Sequence, residues 1–264
     1  MAEKAAEWRE ETVKAEGTNL IVVRGGAGKP LLILHDELGY PGWLKWNSEL
    51  AKSRALLIPM HPGFGRTERA EWTMSIRDMA GFYAKYLKDQ GLAPVDVMGF
   101  SLGAWIAAEM AANNPAQFGK MVLVAPAGIR PPEGEILDVF RIMAIDQLLA
   151  TVKDPANTPE FGILFGGQTP EAFEMWEDAR AQTARLAWQP YMFNPSLPHL
   201  LAVATDLPTL IIHGRDDKVV PVSASEAYRK AISGASMKIY NNCGHRPEIE
   251  QSAQFVSDVR SFLS

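Results

Sequence analysis

The sequence lacks disulfide partners, long apolar runs and clusters of basic residues. Its single cysteine, Cys243, excludes an internal disulfide and is typical of a protein from a reducing compartment, so we expect a cytoplasmic location. No apolar stretch approaches the roughly 18 residues of a membrane-spanning helix, so no membrane span is predicted. The formal charge of −5 and the pI of about 5.6 argue against nucleic acid or an anionic membrane as a partner.

The composition is that of a globular chain with a substantial core. Of 264 residues, 47% are hydrophobic and 22% are charged, which suits one α/β domain with an insertion and excludes wholesale disorder. The first eleven residues are charged throughout and lack the apolar centre of a secretory signal, so no leader is expected. A small-molecule substrate is the partner that this composition leaves open.

Short apolar runs alternate with helical patterns along most of the chain. Runs of this kind are typical of strands buried on both faces of a parallel sheet. The predicted strands are 19–24, 30–35, 55–59, 95–100, 120–125, 209–213 and 236–240, and the predicted helices are 43–52, 75–90, 104–112, 223–232 and 249–263. The fold class is therefore α/β, with a mostly parallel central sheet flanked by helices.

The alternation stops between residues 128 and 207. This segment has no convincing buried strand, and eight prolines interrupt its short helical patterns. We interpret it as a helical cap inserted into a core formed by residues 1–127 and 208–264. The aromatic residues of the cap predict an apolar pocket between the cap and the sheet.

One strand runs directly into a Gly-x-Ser-x-Gly pattern followed by a helix. Gly99, Ser101 and Gly103 occupy the fixed positions, and the helix begins near Leu102. In this context the serine sits on a strained turn and its hydroxyl is exposed at the edge of the sheet. The pattern predicts a serine nucleophile, with the backbone N–H of Leu102 available to bind an oxyanion.

A serine hydroxyl needs a base, and the base needs a group that orients it. Asp216 and Asp217 lie in the loop after one late strand, and His245 lies in the loop after the next. Carboxyl ends of parallel strands share one edge of the sheet, so these loops are expected beside Ser101. Either aspartate could serve on this argument alone.

Five motifs in the same order resemble the α/β-hydrolase superfamily over nearly the whole chain outside the cap. They are His35-Asp36, the Pro-Gly-Phe-Gly-Arg-Thr loop at 62–67, the Gly-x-Ser-x-Gly turn, the Gly-Arg-Asp-Asp-Lys-Val-Val-Pro loop at 214–221, and Gly244-His245. The resemblance implies the α/β-hydrolase fold with an inserted helical cap. It also implies that the acid is Asp217, three residues after Gly214, with Asp216 as the runner-up.

The resemblance implies a role for each site residue. Ser101 would attack a carbonyl carbon, His245 would take and return the proton, and Asp217 would hold the imidazole. The oxyanion would be bound by the backbone N–H groups of Leu102 and Glu37. The family has glycine where this chain has Asp36, so a carboxyl group stands beside the predicted oxyanion site.

The remaining histidines and the cysteine are expected to be structural. His35 and His61 should order loops, while His199 and His213 should be ordinary structural residues. Cys243 lacks an oxyanion turn of its own and should be a packed thiol. The chain has no His-Glu-x-x-His spacing and no Gly-x-Gly-x-x-Gly turn, so neither a metal nor a cofactor is expected.

The motifs predict a serine hydrolase that acts on small or medium, largely apolar acyl compounds, with a carboxylic ester as the main expectation. Three alternatives stay open: a hydrolase of carbon–carbon bonds in meta-cleavage-type diketones, a cofactor-free perhydrolase, and a non-catalytic ligand receptor. The carbon–carbon hydrolases that this chain resembles usually have asparagine before the serine, where Phe100 stands here. Aspartate nucleophiles, as in dehalogenases and epoxide hydrolases, do not fit Ser101.

Overall fold

An eight-stranded sheet forms the centre of the computed structural model, which describes residues 8–167, 169–204 and 206–264. The strand order is β1-β2-β4-β3-β5-β6-β7-β8. Strand β2 runs antiparallel to β1 and β4, and the other neighbours are parallel. The strands are β1 (Trp8–Ala15), β2 (Thr18–Gly25), β3 (Lys29–Leu34), β4 (Arg54–Pro59), β5 (Val95–Phe100), β6 (Phe118–Val124), β7 (Thr209–Gly214) and β8 (Ser236–Tyr240). The predicted mostly parallel sheet flanked by helices is confirmed.

Helices cover both faces of the sheet. The described α-helices are α1 (Lys45–Ala51), α2 (Ile76–Asp89), α3 (Leu102–Asn113), α4 (Ala144–Ala150), α5 (Pro170–Ala187), α6 (Leu197–Leu200), α7 (Val222–Ala231), α8 (Pro247–Glu250) and α9 (Ser252–Leu263). Short 3₁₀ helices occupy Pro115–Gln117, Phe161–Gly166 and Leu201–Ala204. No helix of the described ranges is long and apolar enough to cross a membrane.

Side-chain alternation along the strands divides the core into two layers. In β3, Leu32 and Leu34 pack with α2 and α3, whereas Leu31 and Ile33 face the layer that contains α1 and α9. Successive residues of a strand point to opposite faces, so one strand supplies both layers. This explains why a continuous apolar run, without polar alternation, predicted a strand here.

The first described strand has no counterpart in the sequence prediction. Strand β1 is a largely exposed edge strand rich in charged residues, so it lacks the apolar pattern of its neighbours. It pairs antiparallel with β2 through a two-residue turn at Glu16 and Gly17, which both have positive φ. The first seven residues of the predicted charged N-terminal segment lie outside the described residues.

The segment between 128 and 207 contains α4, α5, α6 and two 3₁₀ helices, and no strand is found in its described residues. Gln168 and Thr205, which belong to this predicted cap, lie outside the described residues. Helices α4 and α5 contact the loop after β3 through Gln147 and Thr183. The cap boundaries at 128 and 207 stay predictions.

Candidate active site

The turn between β5 and α3 holds Ser101 in a strained backbone conformation. Its φ of 46° and ψ of −108° lie in a region that residues with a Cβ rarely adopt. A Cβ at Gly99 would collide with the backbone of Gly103, and a Cβ at Gly103 would collide with the carbonyl oxygens of Leu34 and His35. Glycine at both positions therefore lets α3 start directly beside the end of β3.

Asp217 and His245 meet at the carboxyl edge of the sheet. The His245 Nδ1 lies 2.6 Å from Oδ2 of Asp217. The other oxygen of Asp217 accepts hydrogen bonds from the backbone N–H groups of Val219 (2.7 Å) and Val220 (3.0 Å). Asp216 instead pairs with Lys153 at a partly exposed position. The structure thus places Asp217, and not Asp216, against the imidazole.

A third group contacts the same carboxylate. Nε2 of His213 lies 2.9 Å from Oδ2 of Asp217, and its Nδ1 lies 2.6 Å from the hydroxyl of Ser225. His213 is therefore structural, as expected, and it restrains the acid. The exposed His199 lies in α6, away from these contacts.

The charges of this pair shift both pKa values in opposite directions. Burial alone would raise the pKa of Asp217, but the neighbouring His245 and the hydrogen bonds from both histidines hold it well below its usual value. Burial alone would lower the pKa of His245, but the carboxylate of Asp217 raises it to about 9. The pair therefore favours an imidazolium beside a carboxylate.

The serine end of the arrangement is buried and without a hydrogen bond. Ser101 Oγ and His245 Nε2 have no partner among the described residues, and the two residues are 1% and 4% exposed. Catalytic hydrogen bonds are often long before substrate binds, so the missing hydrogen bond does not exclude proton transfer between the two residues. Neither reactive atom is therefore engaged by another group of the described residues.

The two backbone N–H groups predicted to bind the oxyanion have no acceptor among the residues that the structure describes. In the described part of the chain, the N–H groups of Leu102 and Glu37 donate to no protein acceptor. Asp36 stands where the family has glycine, and both oxygens of its carboxyl group have partners. One oxygen accepts from the Leu38 N–H at 2.9 Å, and the other lies 2.6 Å from Arg246. Its carboxyl group is thus paired.

His35 and His61 order the loops after β3 and β4. The backbone N–H of His61 donates to Nε2 of His35 at 2.9 Å, and Nε2 of His61 donates to the carbonyl of His35 at 3.0 Å. Burial lowers the pKa of His35 to about 4 and that of His61 well below its usual value, so both rings are neutral. These contacts support the predicted loop-ordering roles.

Cys243 is fully buried beside the His245 loop. Burial and the nearby carboxyl groups of Glu250 and Glu248 raise the pKa of its thiol far above the usual value. A thiol that stays protonated is a poor nucleophile. The position is that of a packed side chain.

A buried cluster of charged side chains beside the site was not predicted from the sequence. Arg246, which follows the catalytic candidate His245, lies 2.6 Å from Asp36 and 3.5 Å from Glu248. Burial raises the pKa of Glu248 to about 7. A small cavity of about 20 Å³, enough for one water molecule, lies against these three side chains and the rings of Tyr40 and Phe100. The only sequence signal was the Arg-Pro-Glu run after the Gly-His pair.

Two residues of the predicted cap that the motifs did not single out contact Glu37. Gln147 of α4 donates to the carboxyl group of Glu37 at 3.1 Å, and Thr183 of α5 donates to the Glu37 carbonyl at 3.2 Å. Polar residues in an irregular helical insertion carry no motif, so no sequence signal marked them. They connect the cap to the loop that carries the second backbone donor.

Comparison with known proteins places this geometry in a family. Residues 31–259 match the model of the alpha/beta hydrolase family. A 2-hydroxymuconate semialdehyde hydrolase from Pseudomonas sp. (strain CF600) is 30% identical, over 90% of this chain and 88% of that protein. A 2-hydroxy-6-oxo-2,4-heptadienoate hydrolase from Pseudomonas putida is 25% identical, over 90% of each chain.

The fold agrees with solved structures at lower identity. A 2-hydroxy-6-oxo-6-phenylhexa-2,4-dienoate hydrolase from Rhodococcus sp. strain RHA1 superimposes with a TM-score of 0.77 and 19% identity, covering 98% of this chain and 99% of that one. The family model spans most of the chain and includes all five motifs. The protein belongs to the α/β-hydrolase family.

Proposed function

We propose that this enzyme hydrolyses a carbon–carbon bond next to a keto group in 2-hydroxy-6-oxo-dienoate compounds, through Ser101, His245 and Asp217. The observation that carries the proposal is the 30% identity to a 2-hydroxymuconate semialdehyde hydrolase over 90% of the chain. The Asp217–His245 contact of 2.6 Å supports it, because it supplies the oriented base that a serine nucleophile needs. This differs from the ester that the motifs alone favoured.

The proposed reaction begins at the 6-oxo carbon. His245 Nε2 takes the proton of Ser101 as the hydroxyl oxygen attacks that carbon, and Asp217 stabilises the imidazolium. The negative charge on the former carbonyl oxygen is bound by the N–H groups of Leu102 and Glu37. The roles of these five residues are part of the proposal.

Collapse of this intermediate breaks the bond between the 6-oxo carbon and its neighbour in the dienoate. The cleavage proceeds from the 2,6-dioxo tautomer, in which the proton of the 2-hydroxyl has moved to C5, the carbon next to the 6-oxo group. The electron pair of the broken bond is then delocalised through C4 and C3 onto the 2-oxo oxygen as a dienolate, which is protonated as His245 gives up the proton that it took from Ser101. Water then attacks the acyl-serine with His245 as base, which releases a carboxylic acid and frees Ser101. The atoms balance with one water consumed.

Ester hydrolysis is the second candidate, and Phe100 favours it. The side chain before the serine is aromatic and packs against Trp46 and Phe255, with ring centroids 5.4 and 6.1 Å away. No amide stands at this position, where the resembling carbon–carbon hydrolases usually have asparagine. An ester needs no special stabilisation of a carbon leaving group, so this site would suit it.

The two candidates are separated by comparing kcat/KM for 2-hydroxymuconate semialdehyde and for a chain-length series of p-nitrophenyl esters. We expect the wild type to prefer the semialdehyde, and Ser101→Ala to lose both activities by several orders of magnitude. Preference for an ester would replace the first candidate by the second.

A fluorophosphonate probe tests whether the site catalyses at all. Stoichiometric labelling of the wild type, absent in Ser101→Ala, is expected for an activated serine. Folded protein that is neither labelled nor active would favour a ligand receptor.

A further inference from the structure

Two buried acceptor oxygens between the core and the cap have no hydrogen-bond partner. They are Oε2 of Glu37 and Oε1 of Gln147, and within the described residues nothing donates to either atom. The two residues are 1% and 0% exposed. Leaving a buried acceptor unsatisfied is costly, so such atoms indicate a bound molecule that supplies hydrogens.

The orientation of this pair is fixed by its own hydrogen bond. Gln147 Nε2 donates to Oε1 of Glu37 at 3.1 Å, and an amide nitrogen can donate to a carboxyl oxygen whereas an amide oxygen cannot. The Gln147 oxygen is therefore the atom left free. The two free acceptors, one from the core loop and one from α4, therefore belong to side chains that a hydrogen bond holds together.

Glu37 differs from its neighbour Asp36 in how its oxygens are used. Asp36 is paired with Arg246 and the Leu38 N–H. The Glu37 side chain contacts no cation within 4 Å in the described residues, and its carbonyl is held by Thr183 at 3.2 Å. The carboxyl group is thus anchored by the cap and still has one free oxygen.

This free oxygen lies in the neighbourhood of the reacting groups. Glu37 is two residues beyond His35, whose carbonyl packs against the start of α3 next to Ser101. After burial, which lowers it, and Asp217, which raises it, the charge of Glu37 further raises the pKa of His245. The Glu37 carboxyl group is thus close enough to His245 for its charge to act on the imidazole. Ser101 Oγ and His245 Nε2 are likewise buried and have no hydrogen-bond partner among the described residues.

We propose that Glu37 and Gln147 form a subsite that binds an O–H or N–H group of the substrate near the carbonyl that Ser101 attacks. The inference rests on the proposed function, because it uses the site of that serine. It defines the substrate class as one with a hydroxyl, enol or amide hydrogen at this place.

The test compares two esters that differ by one hydroxyl, p-nitrophenyl 3-hydroxybutanoate and p-nitrophenyl butanoate. For the wild type, the ratio of their kcat/KM values should exceed the ratio of their uncatalysed hydrolysis rates. Glu37→Gln keeps the shape of the side chain but replaces an acceptor by a donor. It should lower the enzymatic ratio about 10- to 100-fold, the value of a hydrogen bond to a charged group.

Glu174→Gln is the matched control, because it makes the same change in charge at an exposed position of α5. Its ratio should equal that of the wild type. A wild-type ratio no greater than the uncatalysed one, or an unchanged ratio in a folded Glu37→Gln, would overturn the subsite and leave water as the occupant. If Glu37→Gln does not fold, the wild-type ratio alone decides.

Failure of the proposed function would look different. In that case the wild type turns over neither esters nor dienoates, and the fluorophosphonate does not label Ser101. The subsite is then decided by calorimetry on Ser101→Ala. Tighter binding of the 3-hydroxy ester than of its 3-methoxy ether supports it, and equal binding overturns it.

Discussion

At the level of single residues, the contact between Asp217 and His245 determines how the enzyme should respond to pH. The base must be neutral to take a proton from Ser101, and Asp217 raises the pKa of His245 to about 9. We therefore expect kcat/KM to rise with pH and to reach a plateau above an inflection near pH 9. A profile of kcat/KM between pH 5 and 10.5 on a p-nitrophenyl ester, corrected for uncatalysed hydrolysis, measures this.

Asp217→Asn supplies the control for that profile. Without the carboxylate the imidazolium loses its partner, so the inflection should move to lower pH. The plateau should fall on the order of 10³- to 10⁴-fold, because the imidazole is no longer held in the useful tautomer. An inflection that stays in place in this variant would show that His245 is not the group that titrates.

The same raised pKa gives a stability effect of known sign. The folded-state pKa of His245 lies above the unfolded value of 6.5, so the charged pair stabilises the fold fully below about pH 6.5. That contribution is lost as the pH rises through about 9. Activity and this part of the stability therefore change in opposite directions over the same range.

Residues on motifs were predictable from the sequence, whereas residues that act by their orientation were not. Ser101, Asp217 and His245 follow the parallel strands β5, β7 and β8, and loops at the carboxyl ends of parallel strands converge at one edge of the sheet. The carboxyl group of Asp36 is oriented by its ion pair with Arg246, and that of Glu37 by its hydrogen bond from Gln147. Those partners are far away along the chain, so only the folded structure shows that one carboxyl is paired and the other is half free.

At the level of elements, the close approach of α3 to β3 makes Gly103 sensitive to substitution. A Cβ there would collide with the backbone oxygens of Leu34 and His35, which no rotamer change can relieve. Gly103→Ala should therefore lower the free energy of unfolding by about 2–4 kcal/mol, comparable with other severe steric changes in a core. Chemical denaturation followed by circular dichroism measures this.

Gly81→Ala is the opposite case in a neighbouring helix. A Cβ at Gly81 meets nothing within 4 Å, and the residue lies inside α2 with ordinary helical backbone. Alanine there should stabilise the protein by about 0.5–1 kcal/mol, because glycine is the poorer helix former. If both variants changed stability equally, the close contact at Gly103 would not be the cause.

Strands with regularly placed apolar residues were predictable, including the partly exposed β8, whereas the charged edge strand β1 was not. The strands β3 to β7 are largely apolar runs, so their prediction needed no partner information. The edge strand β1 is charged and pairs with β2 mainly through its backbone. The predicted terminal helix is divided at Gln251, whose φ of −133° and ψ of 48° are not helical. Backbone conformation at one residue leaves no periodic signal.

At the level of the whole molecule, the edge of the sheet opposite the active site is held by one buried carboxylate. Asp96 is fully buried at the start of β5 and lies 2.6 Å from Arg54 of β4 and 2.9 Å from Lys29 of β3. Arg54 also donates to the carbonyl of Leu263 at the end of α9. Asp96 therefore connects β3, β4 and β5, and through Arg54 it also connects them to α9. Helix α9 comes after the predicted cap in the sequence, whereas the three strands come before it.

Asp96→Ala would leave the guanidinium of Arg54, which is 8% exposed, without its carboxylate partner. Breaking a buried pair in this way typically costs about 3–5 kcal/mol, so we expect a large fall in the urea midpoint. Asp89→Ala removes a partner of the exposed Lys85 in α2 and should leave the midpoint nearly unchanged. Because Asp96 lies at the edge away from Ser101, folded Asp96→Ala should keep the wild-type kcat on a p-nitrophenyl ester. A loss of kcat without a fall in the midpoint would mean that this edge acts on the active site, and not only on the stability of the sheet.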